Sequence, residues 1–208
     1  MMKRAFDLAL SLGGLVVLAP LLLVLGAIIW SRDGCPVFFR QERVGKGGRN
    51  FKIWKFRTMQ IEAERHGAQI TRRGDARVTS LGIILRKWKL DELPQLLNVL
   101  VGEMSLVGPR PEVPRYVAYY TAAQRQVLHL RPGITDLATL RFRNEEKLLA
   151  TAVDPEKFYR EYCIPRKVAL NLEYSTRASL ISDIGLLIAT VGAILAGDKG
   201  GTAGDSEV

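Results

Sequence analysis

Residues 8–30 are 23 consecutive positions without a charge, and no other feature constrains the fold as strongly. About 20 apolar residues in a helix are enough to cross a bilayer. Lys3, Arg4 and Asp7 precede the run, and Arg32 and Asp33 follow it. A cleaved signal peptide is disfavoured by the acid at Asp7, by the length of the run and by the lack of a small-residue cleavage site. Cys35 follows Ser-Arg-Asp-Gly rather than a short apolar lipobox, so it is not read as a lipoprotein cysteine. A simple span conflicts with charge, because Lys3 and Arg4 on one side and Arg32, Arg40, Arg43 and Lys46 on the other all favour the cytoplasmic face. A helix–break–helix that enters and leaves the same leaflet satisfies both ends. Pro20, near the middle of the run, supplies the break. Spanning helices also tolerate proline, so it is charge and Pro20 together that favour re-entrance.

The remaining charge is unevenly divided. Residues 1–90 carry 17 Lys and Arg against 6 Asp and Glu, and residues 91–208 carry 13 against 15, for a net +9. A basic segment after an apolar anchor suits a polyanionic partner such as lipid headgroups or phosphorylated substrates. Nucleic acid is disfavoured, since no helix-turn-helix, zinc-finger or RNP-type signature is present. Cys35 and Cys163 lack CxxC or zinc spacing, and His66 and His129 are isolated. The length of 208 residues fits one domain plus an appendage.

The periodicities predict an α+β, mostly helical fold. Residues 36–44 and 51–56, joined by Gly45-Lys46-Gly47-Gly48, read as a β-hairpin. A helix is expected over 58–66 and a polar loop over 67–76. Thr79-Ser80 caps a helix through Trp88, and a further helix follows Asp91, with Pro94 in its first turn and Gly102 at its end. Thr121-x-x-Gln124 is a capping box, Arg131-Pro132-Gly133 a turn, and Asp154-Pro155 a helix start. Residues 165–177 form a helix, 180–196 a core or interfacial helix too short to span, and 197–208 a disordered tail. The domain reading is a re-entrant anchor over 1–32, a compact interfacial catalytic domain over 33–196, and the tail.

Chemistry points to residues 85–111. Asp91 and Glu92 stand side by side between Arg86, Lys87, Lys89 and Arg110. A carboxylate that attacks phosphorus needs cations on the phosphoryl oxygens and usually Mg²⁺. Arg110, in Gly108-Pro109-Arg110-Pro111, sits on a stiff turn from which a guanidinium can clamp phosphate. The competing reading is equally consistent with position: Asp91 caps a helix, Glu92 favours its positive end, and Lys52, Lys55 and Arg57 form a solvated strand face. P-loop, GxGxxG and GxSxG signatures are absent.

Six motifs in register decide between these readings. They are Lys3-Arg4-x-Phe6-Asp7; Pro36-Val37-Phe38-Phe39-x-Gln41-x-Arg43-Val44-Gly45; Lys55-Phe56-Arg57-Thr58-Met59; Asp91-Glu92-Leu93-Pro94-Gln95; Met104-Ser105-x-Val107-Gly108-Pro109-Arg110-Pro111; and Arg131-Pro132-Gly133-Ile134-Thr135. In this order the chain resembles the bacterial sugar transferase family, the small monotopic phosphoglycosyl transferases, from about Lys3 to Thr190.

The resemblance implies a two-step exchange. Asp91 attacks the sugar-linked phosphate of a UDP-sugar and releases UMP, and polyprenyl (undecaprenyl) phosphate then takes the phosphosugar. Glu92 matches the Mg²⁺-associated carboxylate, and Arg86 and Arg110 match phosphate-handling arginines. Lys55, Arg57 and Arg131 join them as substrate-binding candidates, Lys3 and Arg4 lie where the anchor meets headgroups, and Pro20 matches the helix-breaking proline. The implied partners are UDP-sugar, polyprenyl phosphate and membrane lipid, with a homodimer allowed for and nucleic acid excluded. The implied place is the cytoplasmic face of the bacterial inner membrane, and the implied role is the first membrane step of glycoconjugate or polysaccharide assembly. The alternative is a non-catalytic anchored module that binds anionic lipid or a partner protein. Two departures stand out. Ala19 replaces the serine that often precedes the breaking proline. After Thr135, where many members have Gly-Trp-Ala-Gln, this chain continues Asp136-Leu137-Ala138-Thr139. Residues 136–146 are therefore where sugar specificity is expected to differ.

Overall fold

The computed structural model describes residues 2–61, 71 and 74–196. His66, most of the helix expected over 58–66, part of the loop after it and the tail over 197–208 lie outside the described residues. Where that helix was expected to begin, Met59 instead bridges Val78 in antiparallel fashion and the Gln60 amide donates to the Arg77 carbonyl.

The apolar run lies within one helix, α1, Met2–Asp33, and Pro20 lies inside it. The expected separation into two helices at Pro20 is not seen. Proline removes one N–H from the ladder, but the surrounding turns continue, and α1 is pinned at both ends. Near its start Asp7 and Ser11 are buried, and near its end Leu25 and Ile29 pack with Phe56, Leu81 and Leu85. Between these anchors Val16, Val17 and Leu23 are exposed. Both ends of α1 thus rest on the same folded domain.

The hairpin is present as β1, Phe38–Val44, and β2, Asn50–Phe56, paired antiparallel with Phe38 opposite Phe56. Its connection is a 3₁₀ turn in which Gly47 takes a positive φ of 69°. Alternation buries Phe51 and Ile53, while Lys52 stays exposed. Helix α2, Ser80–Lys87, starts as expected at Thr79, whose side chain accepts from the Gly82 amide at 2.9 Å. Gly82 permits this packing: a Cβ there would lie 2.1 Å from the Thr58 carbonyl oxygen.

A 3₁₀ turn over Leu90–Gln95 and helix α3, Leu96–Val101, carry the acidic pair onto β2. The fully buried Asn98 of α3 knits these parts together: Oδ1 accepts from the Trp54 amide at 2.9 Å, and Nδ2 donates to the Lys52 carbonyl at 3.0 Å. Strand β3, Ser105–Val107, pairs in parallel with β4, Gly133–Thr135. At three residues each they are too short for sequence periodicity to reveal, and the Arg131-Pro132-Gly133 turn leads directly into β4.

Helices α4 (Pro114–Val117), α5 (Leu137–Arg141), α6 (Glu145–Thr151) and α7 (Pro155–Phe158) follow. The capping box forms reciprocally, with the Thr121 amide donating to Gln124 Oε1 and the Gln124 amide to Thr121 Oγ1, but it opens a 3₁₀ helix. Asp154 caps α7 as expected, and a π-helical turn over Tyr159–Cys163 joins α7 to α8, Ile164–Arg177. Helix α9, Leu180–Leu195, closes the domain, with Leu186 packed against Val99, Met104 and Leu106.

Candidate active site

The acidic pair lies on the 3₁₀ turn at its junction with α2. Lys89 there has φ 54° and ψ 22°, a left-handed conformation that costs a non-glycine residue about 1 kcal/mol or more. Lys89 is the N-cap position, and no side chain caps this turn. Asp91 is therefore inside the turn and is not a cap, which removes the competing reading for this residue. It is 7% exposed, and its buried Oδ1 has no hydrogen-bond partner.

Glu92, also 7% exposed, is saturated by cations. Arg110 Nη2 donates to Oε1 at 2.5 Å and Nη1 to Oε2 at 3.2 Å, and Lys55 Nζ donates to Oε1 at 2.9 Å. A strand, a turn and a loop thus converge on one carboxylate: Lys55 comes from β2, Glu92 from the 3₁₀ turn, and Arg110 from the loop after β3.

The two carboxyls titrate in opposite directions. Burial raises Asp91, and the neighbouring Glu92 charge raises it further against the pull of Lys55, Lys89 and Arg86. Burial would also raise Glu92, but Arg110, Lys55 and Lys89 outweigh it and hold Glu92 well below the usual carboxylate range. Arg110 is raised, first by Glu92. Lys55 is lowered by burial, which Glu92 offsets only in part. Divergent environments for adjacent carboxyls are characteristic of sites that assign them different tasks.

The other sequence candidates divide into two groups. Arg86 stands near the pair, with Nη2 3.0 Å from Glu146 Oε1, and Glu146 belongs to the stretch expected to vary with substrate. Arg131 is half-buried before β4. Three others are engaged in holding α1. Arg57 Nη2 donates to the Asp33 and Gly34 carbonyls at 2.6 and 2.8 Å, capping the end of that helix. Arg4 donates to the Val99 and Leu100 carbonyls at 2.6 and 2.9 Å, and Lys3 pairs with the buried Asp183. Pro20 is remote from Asp91 in the chain and lies inside α1.

Sequence reasoning missed several supporting residues. Asp7 accepts from Ser105 Oγ at 2.8 Å and from the Leu106 amide at 3.2 Å, tying α1 to the strand that leads to Arg110. Its signal was its place in the first motif. Arg43 is half-buried behind the site, donating from Nη1 to the Pro111 carbonyl at 2.9 Å, and desolvation lowers its pKa. Gly108 and Gly133 let the two glycine-bearing turns touch, since a Cβ on Gly133 would lie 2.1 Å from the Gly108 amide nitrogen.

Among the described residues no cluster of three or more His, Cys, Asp or Glu could hold a metal. Asp91 and Glu92 nonetheless offer the hard oxygens that Mg²⁺ takes from one or two carboxylates together with substrate phosphates and water. Both Glu92 oxygens already meet cations, whereas among the described residues no ion pair to Asp91 is found.

The long apolar α1 and a family match place the chain among membrane-associated transferases. Residues 1–197 match the bacterial sugar transferase family, and the chain belongs to that family. It is 36% identical over 200 residues to the UDP-glucose:undecaprenyl-phosphate glucose-1-phosphate transferase of Caulobacter vibrioides, covering 95% of this chain and 71% of that one. It is 34% identical over 207 residues to the exopolysaccharide production protein ExoY of Sinorhizobium fredii, covering 92% and 84%. Identity reaches 42% over 139 residues with a UDP-N-acetylgalactosamine-undecaprenyl-phosphate N-acetylgalactosaminephosphotransferase of Aeromonas hydrophila, covering 65% of this chain. That match takes in 33% of the Aeromonas protein's length.

Proposed function

We propose that the protein transfers a phosphosugar from a UDP-sugar to a polyprenyl phosphate, as the first membrane step of polysaccharide or glycoconjugate assembly. The observation that carries this reading is the buried, unpartnered Asp91 oxygen beside a Glu92 already neutralised by two cations. An ionised Asp91 attacks the sugar-linked phosphorus, the bond to the UMP oxygen breaks, and UMP leaves. An oxygen of the polyprenyl phosphate then attacks the same phosphorus and releases the Asp91 carboxylate. Arg110, Lys55 and Arg86 offset the substrate's negative charge, which otherwise repels a carboxylate nucleophile. The raised pKa of Asp91 makes its ionised form a stronger base and hence a better nucleophile. Glu92 is the carboxylate that would hold Mg²⁺, which would supply further offset for the charge that develops on the phosphoryl oxygens. The relatives' names support the donor and acceptor classes.

Membrane placement follows the same reading. Both ends of α1 dock on one domain, which supports an anchor held on one face of the membrane, the cytoplasmic one. The outward positions of α9, among them Ile181, Ile184, Ile188, Val191 and Leu195, are apolar and exposed, as suits a helix lying on lipid.

The test is incubation of nanodisc-held protein with a panel of UDP-sugars, Mg²⁺ and undecaprenyl phosphate, with UMP monitored. UMP release by one or a few UDP-sugars, abolished in Asp91→Asn, is expected. Full activity of Asp91→Asn would remove the nucleophile assignment, and no release with any UDP-sugar would favour a non-catalytic lipid- or partner-binding module.

A further inference from the structure

Asp136 opens the stretch in which this chain departs from the usual continuation of its motif, and its carboxylate is 1% exposed. Oδ1 accepts from the Thr139 amide at 2.5 Å, capping α5. Oδ2 faces the reaction centre's support: it accepts from the backbone amide of Arg110 at 3.0 Å and from Asn171 Nδ2 of α8 at 2.8 Å. The Arg110 side chain meanwhile grips both Glu92 oxygens. One buried carboxylate thus fixes the backbone of the residue whose guanidinium clamps Glu92. A glycine at position 136 would have no side chain to make this contact.

We propose that Asp136 is a positioning residue that aims Arg110 at Glu92 and the reacting phosphate. This rests on the transferase reading for its catalytic consequence, while the contact itself is independent of that reading. The other restraints on the turn act on its carbonyls: that of Pro109 accepts from the Gly133 amide at 3.0 Å and that of Pro111 from Arg43 Nη1 at 2.9 Å. Pro109 and Pro111 have no amide hydrogens, so the Arg110 N–H is the one backbone donor between Gly108 and Glu112. Gly108 is held separately, its amide donating to the Thr135 carbonyl at 3.0 Å.

Asp136→Asn separates the two jobs of this residue. Asparagine caps a helix as well as aspartate does, so Oδ1 can keep the Thr139 amide. The remaining atom becomes an NH₂ that faces two donors, Arg110 N–H and Asn171 Nδ2. Hydrogen–deuterium exchange of the intact protein in nanodiscs reads the contact directly, because the proline flanks make Arg110 separable from its neighbours. Exchange at Arg110 should accelerate while Gly108 stays protected. Turnover measured by UMP release, well below the melting transition, should fall about tenfold or more, as expected when a catalytic group loses its aim, and the melting temperature should drop by several degrees because two buried donors lose their acceptor. In an Arg110→Lys background the same change should cost less than about twofold, since residues acting as one unit are non-additive. Unchanged exchange at Arg110, wild-type turnover in Asp136→Asn, or multiplicative losses with Arg110→Lys would each overturn the proposal. Failure of the unmodified protein to release UMP would count against the transferase reading alone, and the exchange measurement would then decide the positioning claim.

Discussion

Replacing Glu92 by glutamine removes one negative charge from between two cations and retains the shape of the side chain. The Glu92 side chain is 9% exposed, that of Lys55 15% and that of Arg110 30%. Breaking a buried ion pair by neutralising one partner costs about 3–5 kcal/mol, because the charge left behind stays desolvated. Here two charges are left, but Arg110 reaches water and recovers part of its hydration. The lower end, about 3 kcal/mol, is therefore expected. For a chain of this length about 2–4 °C accompanies each kcal/mol, giving a fall of roughly 6–12 °C in melting temperature. The assay is thermal unfolding in one detergent across a pH series. Glu92 is held well below its ordinary pKa, so its contribution is present above about pH 4.3, the unfolded value. It is lost as pH falls through the lower folded value. The gap between wild type and Glu92→Gln should thus stay constant from neutral pH to about pH 5 and narrow only below that. A melting temperature within about 2 °C of wild type at pH 7, or a gap already closing near pH 6, would refute the account of Glu92 as the buried counter-ion of Lys55 and Arg110.

Asp91 carries the opposite sign. Its folded pKa is raised, so its ionisation disfavours the fold as pH rises past the unfolded value; Asp91→Asn should melt at or above the wild-type temperature at pH 7 while losing UMP release. The acid limb of kcat/KM for the UDP-sugar, which reports the free enzyme, should lie at higher pH than the roughly 3.9 of an ordinary aspartate. An inactive variant that is also strongly destabilised would contradict this. Gly133→Ala forces a Cβ to 2.1 Å from the Gly108 nitrogen, so loss of several kcal/mol or failure to fold is expected, read by melting temperature or soluble yield. Arg57→Met should free the end of α1 and increase proteolysis near Asp33 before it affects exchange at Arg110.

Local signals in the chain determined a good deal. The long apolar helix, the hairpin with its glycine turn, the Thr79, Thr121 and Asp154 caps and the adjacency of Asp91 and Glu92 are all set by neighbours within a few residues: an uncharged run, alternation, a capping side chain, adjacent charges. Short-range physics reaches that far because each of these features satisfies backbone groups or hides apolar surface without a distant partner. What the chain could not decide by itself is what lies 20 or more residues away. Lys55, Glu92 and Arg110 meet only because Asn98 stitches α3 to β2 and because Gly108 and Gly133 let two turns interlock. Other long-range contacts engage Arg57, Lys3 and Arg4, read as phosphate-handling candidates, in ties on α1, and join Asp136, from a stretch read as a specificity element, to the Arg110 amide. A charged side chain follows whichever partner lets it leave water at least cost, and that partner exists only once the fold has brought it near.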